Sequence, residues 1–567
     1  MRKRDKKANN LFLNILKTIL FLIFIIIVFK IAPNYEKNDT YDYSKINLII
    51  NNNNVTKKLK KDLYINEKNV VYMSIQDIQN YFDNYIYVDE ENNQIITTYG
   101  EKIGVLPLNK NIMEINNSNV NVMSGAILKE GTYYLPITSM SQVYNINIDY
   151  IKENKILILD SLDRQLIKAD ISKKCNVKYK DTTFSKTVAK LKKGEKVVCI
   201  EDLDENWTKI RTSNGKIGYI KTKVLQNEIY VRENIEDSKN TERINLVWDY
   251  YSEYAKAPDR NGTQINGVNI VSPAFFSLVT EGNGAINTNI GAEGLNYIKW
   301  AKQNNYKVWA MFSNNSYKDT TSKILNSYEL RTKLINNIVN LAIKYELDGI
   351  NLDFENMNTS DKDMFSRFVI ELKPKLQEAG KILSVDVTAP DGGSNWSNCY
   401  DRNVIGDVAD YIVFMAYDQY GISATEPGTT AGYNWVENSL KKFIDREEID
   451  SEKIILGIPF YTRLWEESNG KATSKIVNMK SVDEVLPDNV NKQWNDELKQ
   501  YYVEYNQDGR IYKMWIEDET SLREKVKLVS EYNLAGVASW EKDREVNNIW
   551  NIIKEELSYI KIDRKGS

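Results

Sequence analysis

The eight residues DGINLDFE, Asp348 to Glu355, constrain this chain more than any other stretch. Side chains alternate faces along a strand, so Asn351, Asp353 and Glu355 share one face and Ile350, Leu352 and Phe354 the other. Both flanks have helical spacing: NSYELRTKLINNIVNLAIKYE precedes the stretch and MNTSDKDMFSRFVIELKPKLQEAG follows it. A strand between helices is normally parallel, covered on both faces and apolar on both. A polar row in that setting has no packing purpose. Asp353 and Glu355 are expected about 6–7 Å apart at Cα. One ionised carboxylate there raises the pKa of the other, as a general acid requires. The competing reading is an antiparallel strand with a wetted acidic face.

The surroundings favour the first reading. Over residues 243–560, strand-like runs alternate with amphipathic helices. The runs are INLVWDYY, GVNIVSPAFFSL, YKVWAMFSN, DGINLDFEN, KILSVDVTAPD, DYIVFMAYDQYG, KIILGIPFYTR and AGVASWEK. Eight strand–helix units predict a (β/α)8 TIM barrel, with a small α+β insertion over 464–530 between strands seven and eight. Polar residues gather at the C-terminal strand ends, where such barrels build their sites: Asp249, Ser313, Glu355, Asp391, Tyr417, Asp418, Arg463 and Trp540.

Composition narrows the chemistry. There are no histidines among 567 residues, which removes Ser-His-Asp and Cys-His nucleophile systems and any imidazole-ligated zinc. Acid–base work falls to Asp, Glu, Tyr or Lys. A net charge of −3 gives no sign of a nucleic-acid partner. Three cysteines, Cys175, Cys199 and Cys399, make neither a metal cage nor a disulfide framework. Cys175 and Cys199 are left either paired or as two buried free thiols.

The last domain resembles glycoside hydrolase family 18, the chitinases and related N-acetylglucosaminidases. The family's fourth-strand signature, D-x-x-D-x-D-x-E, is met by Asp348, Asn351, Asp353 and Glu355, with Asn where its second aspartate usually stands. M-x-Y-D-x-x-G appears as Met415, Tyr417, Asp418 and Gly421, GIPFYTR matches the seventh strand, and Trp540 matches the tryptophan flooring the cleft. The insertion resembles that of the branch containing spore-cortex and cell-wall lytic enzymes. The resemblance implies retaining catalysis assisted by the substrate's own acetamido group, with no metal or cofactor. Glu355 is then the general acid and base, Asp353 orients the acetamido nitrogen and Tyr417 binds its carbonyl oxygen. Asn351, Asp418, Trp540, Arg463 and Asp348 are the expected substrate-binding set. Asn351 removes one charge, so Glu355 should be raised less than beside two acids. Structural readings stand beside these: Trp540 as core, Asp418 capping a helix or paired with Arg463, and Asp391 serving a turn.

Upstream, MRKRDKK precedes an apolar run. Residues 1–10 are expected as a cytoplasmic basic tail and 11–32 as a transmembrane anchor about 33 Å long. This places the later domains outside the cell membrane, facing the wall; a cleaved signal peptide is the rival. Residues 45–160 contain a repeat: Asn69 to Asn92 aligns without gaps to Gly131 to Asn154, each a strand, a short helix and a hairpin. This α+β segment resembles the stalk-type domain named after the N-terminal part of copper amine oxidases, and with no histidine it implies no copper. Residues 165–228 resemble a bacterial Src-homology-3-like wall-binding β-barrel, in which Trp207 and Tyr219 either serve a ligand or fill the core. The function expected is hydrolysis of β-1,4 bonds in an N-acetylated glycan, with peptidoglycan favoured. A catalytically silent glycan-binding scaffold and a true chitinase are the alternatives.

Overall fold

A computed structural model describes residues 17–19, 41–202, 206–232, 242–252, 254–393, 395–468 and 470–558. Of the anchor expected at 11–32, only 17–19 fall in this set. The remainder of it, and the tail 1–10, lie outside the described residues. No helix among the described residues is long and apolar enough to cross a membrane. The single-pass membrane location expected from the sequence is therefore withdrawn.

Contacts divide the chain into two units, with most of the first 239 residues in one and Asn240–Ser567 in the other. In the first unit the repeat is visible as structure. Val71–Ser74 leads into helix Ile75–Tyr81 and strand Tyr87–Asp89; Thr132–Pro136 leads into helix Ile137–Val143 and strand Ile146–Ile151. The first strands of the two copies pair antiparallel, Met73 with Leu135 at the centre, flanked by Ser74–Tyr134 and Tyr72–Pro136. Equivalent positions thus meet about a local twofold, and each copy covers the apolar strand of the other. Residues 166–232 form a seven-stranded antiparallel sheet. Trp207 is buried there with Lys221 Nζ 3.9 Å from its ring centre, which places it in packing. Cys175 and Cys199 are half-buried thiols that are not joined in a disulfide.

The second unit is a closed parallel barrel. Its strands are β1 (Ile244–Asp249), β2 (Ile270–Pro273), β3 (Lys307–Ser313), β4 (Gly349–Asp353), β5 (Ile382–Thr388), β6 (Tyr411–Met415), β7 (Ile454–Pro459) and β8 (Gly536–Trp540). Each pairs with its neighbour, and β8 closes the ring onto β1 through Ile244–Gly536 and Leu246–Ala538. The expected eight strands are all present. A helix follows every strand except β1, whose link to β2 contains none among the described residues.

Alternation sorts the side chains. On β1, Ile244, Leu246 and Trp248 point into the barrel, where they join Ile270, Trp309, Met311 and Val413. Val247 instead joins the larger core between strands and helices, as do Ile350 and Leu352 of β4. The lower interior is therefore apolar, and the polar row of β4 is set above it. After β7 the chain leaves the barrel in a five-stranded antiparallel sheet running from Tyr461 to Ile516. Helix Glu519–Glu531, closed by a capping box between Asp518 and Ser521, then returns it to β8.

Candidate active site

The inner face of β4 carries Asn351 and Asp353, both buried, and Glu355 follows just past the strand end, partly exposed. Asn351 uses its whole amide. Its Oδ1 accepts from Trp248 Nε1 at 2.7 Å and Ser272 Oγ at 3.3 Å. Its Nδ2 donates to Ser384 Oγ at 3.0 Å and Asp386 Oδ1 at 2.6 Å. Four strands are thus tied together at one buried amide. Asp353 differs: its Oδ1 is buried and has no hydrogen-bond partner among the described residues. Burial pushes its pKa up to about 7.

Glu355 is held by its backbone. Asn314, buried just beyond β3, accepts from Glu355 N at 3.0 Å and donates to Glu355 O at 2.9 Å. Tyr400 OH donates to Phe354 O at 2.8 Å. The carboxyl itself is pushed well above the usual range, first by burial and then by the charges of Asp353 and Asp418. A proton donor near neutral pH needs that shift. Tyr417, above β6, packs edge-on against Tyr461 at 6.3 Å, and burial raises its phenol well above the ordinary value. A Cβ at Gly457 on β7 would come within 3.3 Å of the Tyr417 ring and 2.7 Å of Phe414 O. Only glycine lets the two strands close beneath that phenol. Asp418 accepts from Tyr461 OH at 2.8 Å and lies 3.5 Å from Arg463 Nη2, so the expected pairing with Arg463 is present. Trp540 ends β8, partly exposed, 5.6 Å from Trp248 and 5.7 Å from Tyr250 between ring centres.

The structure gathers Asn351, Asp353, Glu355, Tyr417, Asp418, Arg463 and Trp540 around the C-terminal mouth of the barrel. It does not bring Asp348 there. Asp348 precedes β4, at the opposite end of the barrel, where its carboxylate accepts from Lys307 Nζ at 3.0 Å and Val308 N at 2.9 Å. Its place in the substrate-binding set is corrected: it staples the start of β4 to β3. Asp249 turns away from the interior and binds Arg260 through both oxygens, at 2.9 and 2.8 Å. Asp391 lies in a surface ion pair with Lys442 and Arg446.

Residues 246–545 match the model of Glycosyl hydrolases family 18. The chain belongs to that family. Residues 49–159 separately match the Copper amine oxidase N-terminal domain. Among curated relatives, the glycosylase YdhD of Bacillus subtilis (strain 168) is 30% identical over 223 residues, 39% of this chain and 52% of its own length. The cortical fragment-lytic enzyme of the same organism is 22% identical over 256 residues, 44% of this chain and 59% of its own. The chain therefore spans little more than half of each. The solved spore cortex-lytic enzyme SleL of Bacillus cereus superposes with a TM-score of 0.49 at 20% identity, over 59% of this chain and 78% of that one.

Three residues of this family 18 site escaped the sequence reading. Asp386 stands on β5 in the alternating run S-V-D-V-T, the same period-two pattern that marks β4. Trp248 stands one residue before Asp249, the polar residue noted at that strand end, and faces the interior. Asn314 follows Ser313, and nothing local distinguishes it; its role exists only once β3 and β4 are side by side.

Proposed function

We propose that the barrel is a retaining glycosidase that cleaves β-1,4 bonds of an N-acetylglucosamine-containing glycan, with peptidoglycan as the favoured substrate. One observation carries the reading: a raised Glu355 carboxyl at the barrel mouth beside a buried Asp353 oxygen with no hydrogen-bond partner among the described residues. An enzymic nucleophile is not needed when the substrate's 2-acetamido oxygen attacks the anomeric carbon. Glu355 protonates the leaving glycosidic oxygen. Asp353 accepts a hydrogen bond from the acetamido nitrogen, and its charge stabilises the oxazolinium-like intermediate. Tyr417 donates to the acetamido oxygen and holds it in line. Trp540 offers its face to the sugar in the −1 position, while Asp418 and Arg463 form a charged rim on the β6 and β7 side. Glu355 then takes a proton from the water that releases the product. Two relatives bearing glycosylase and cortical fragment-lytic names favour wall glycan over foreign chitin.

The test is Glu355→Gln assayed on purified sacculi and on chitin. Reducing-end release from sacculi should fall by about 10²–10⁴-fold, with an unchanged circular dichroism spectrum, and mass spectrometry of the native digest should show muropeptide fragments. Undiminished release by the variant overturns the assignment. Soluble oligomers from chitin alone would make the protein a chitinase, and saturable binding without turnover would make it a lectin.

A further inference from the structure

Asp353 has a buried acidic neighbour on the next strand. β4 and β5 are parallel in a register that pairs Asn351 with Ser384 and Leu352 with Val385. One step further sets Asp353 beside Asp386, on strands about 4.8 Å apart. Asn351, Asp353, Ser384 and Asp386 share the inner face by alternation, and all four are buried. The amide of residue 351 cannot turn over, because Trp248 Nε1 only donates and so claims Oδ1. Asn351 Nδ2 is thereby fixed as a donor to Asp386, at 2.6 Å.

We propose that Asp386 is a positioning residue that holds the proton of an Asp353–Asp386 pair, taking it when the sugar's amide engages Asp353 and returning it when product leaves. The transfer moves one proton between two carboxyls and changes no net charge. It leaves Asp353 ionised toward the substrate's N–H, and it rests on the glycosidase reading above. Two buried carboxyls on adjacent strands cannot both ionise cheaply. A pair that shares a proton loses its first one more readily, and its second less readily, than a lone acid. Burial raises Asp386 well above the usual range, and the charges of Asp353 and Glu355 raise it further, while the Asn351 and Trp248 donors oppose them. Tyr417 faces the same cluster from β6, and Asp418 acts on it through Glu355. Asn351 leaves β4 without a second acid at the pair, and β5 supplies it.

The test compares Asp386→Asn with Asp386→Ala. Asn keeps an acceptor for Asn351 and presents Asp353 with a fixed amide donor; Ala offers neither. With 4-methylumbelliferyl diacetylchitobioside as probe, the acid limb of kcat/KM should rise by about one pH unit in Asp386→Ala, roughly a tenfold loss at pH 5. It should stay in place in Asp386→Asn. A uniform drop in both variants, with unmoved limbs, overturns the proposal and leaves Asp386 a packing residue. Carbon-13 NMR of the aspartate carboxyls reads the pair without turnover, so failure of the glycosidase reading does not decide this one. At pH 7 the native pair should retain one proton, and Asp353 in Asp386→Asn should titrate in a single step. Two independent native titrations near pH 4 overturn the proposal, whether or not Asp386→Ala folds.

Discussion

Trp248 Nε1 donates to Asn351 Oδ1 at 2.7 Å, and that contact sets the direction of the amide at residue 351. The Nδ2 end must face Ser384 and Asp386. Restoring the signature's acid with Asn351→Asp would set a carboxylate oxygen against Asp386 where an N–H donor now stands. Its folded pKa would be raised, so the folded state would bind more protons than the unfolded one above pH 4, and stability would fall as pH rises. We expect a loss of about 2–4 kcal/mol at pH 8 that narrows toward pH 4. Urea unfolding at the two pH values measures it, and equal losses at both would refute the electrostatic account.

Asp353 gives a second pH prediction. Its pKa is raised by burial to about 7 in the folded protein. An unfolded aspartate ionises near pH 4. Between those values the unfolded chain releases a proton that the folded one keeps, so stability is lost as pH rises through that window. Asp353→Asn should therefore stabilise the barrel by a few kcal/mol at pH 8 and hardly at all at pH 4. Melting temperatures across pH 4–8 check this; a constant difference would exclude it.

Asn314 makes two hydrogen bonds to the backbone of Glu355 rather than to its carboxyl, beside two more with Thr321 Oγ1 and Ser316 N. Asn314→Ala should cost about 1–3 kcal/mol of stability, from unmet buried groups. Displacement of Glu355 should lower kcat by about 10–100-fold with little change in KM. Steady-state kinetics on a soluble chitobioside separates this from a binding defect, which would raise KM instead.

In the first unit, Arg211 and Asp160 form a buried bidentate pair, at 2.8 and 2.5 Å, with side chains 6% and 11% exposed. It joins the seven-stranded sheet to the end of the repeat domain. Asp160→Ala strands a buried guanidinium and should cost about 3–5 kcal/mol, whereas Arg211→Met with Asp160→Leu should cost much less. Thermal unfolding of the first unit distinguishes the two.

Much of this was legible in the chain. The row Asn351, Asp353, Glu355 announced its own face because a period-two polar pattern between two helices has no other use. The two copies of the repeat were visible because each short strand and helix needs a partner to cover it. Asp348 was misplaced for a reason the chain itself contained. Residue 348 falls on the opposite parity from 351, 353 and 355, so it never belonged to their face. Among the described residues the link from β1 to β2 holds no helix, and in it Arg260 binds both Asp249 and Asp543.

Periodicity along the chain determined the strands, the helices, their order and the inward face of β4, because hydrophobic burial acts on residues two or four positions apart. It could not determine which strand stands beside which residue across the barrel. Asn314 reaching Glu355, Trp248 orienting Asn351, and Asp386 beside Asp353 join positions some 30 to 100 residues apart. Those meetings were decided by closure of the ring, which fixes the register between neighbouring strands and excludes water from the carboxyls they enclose.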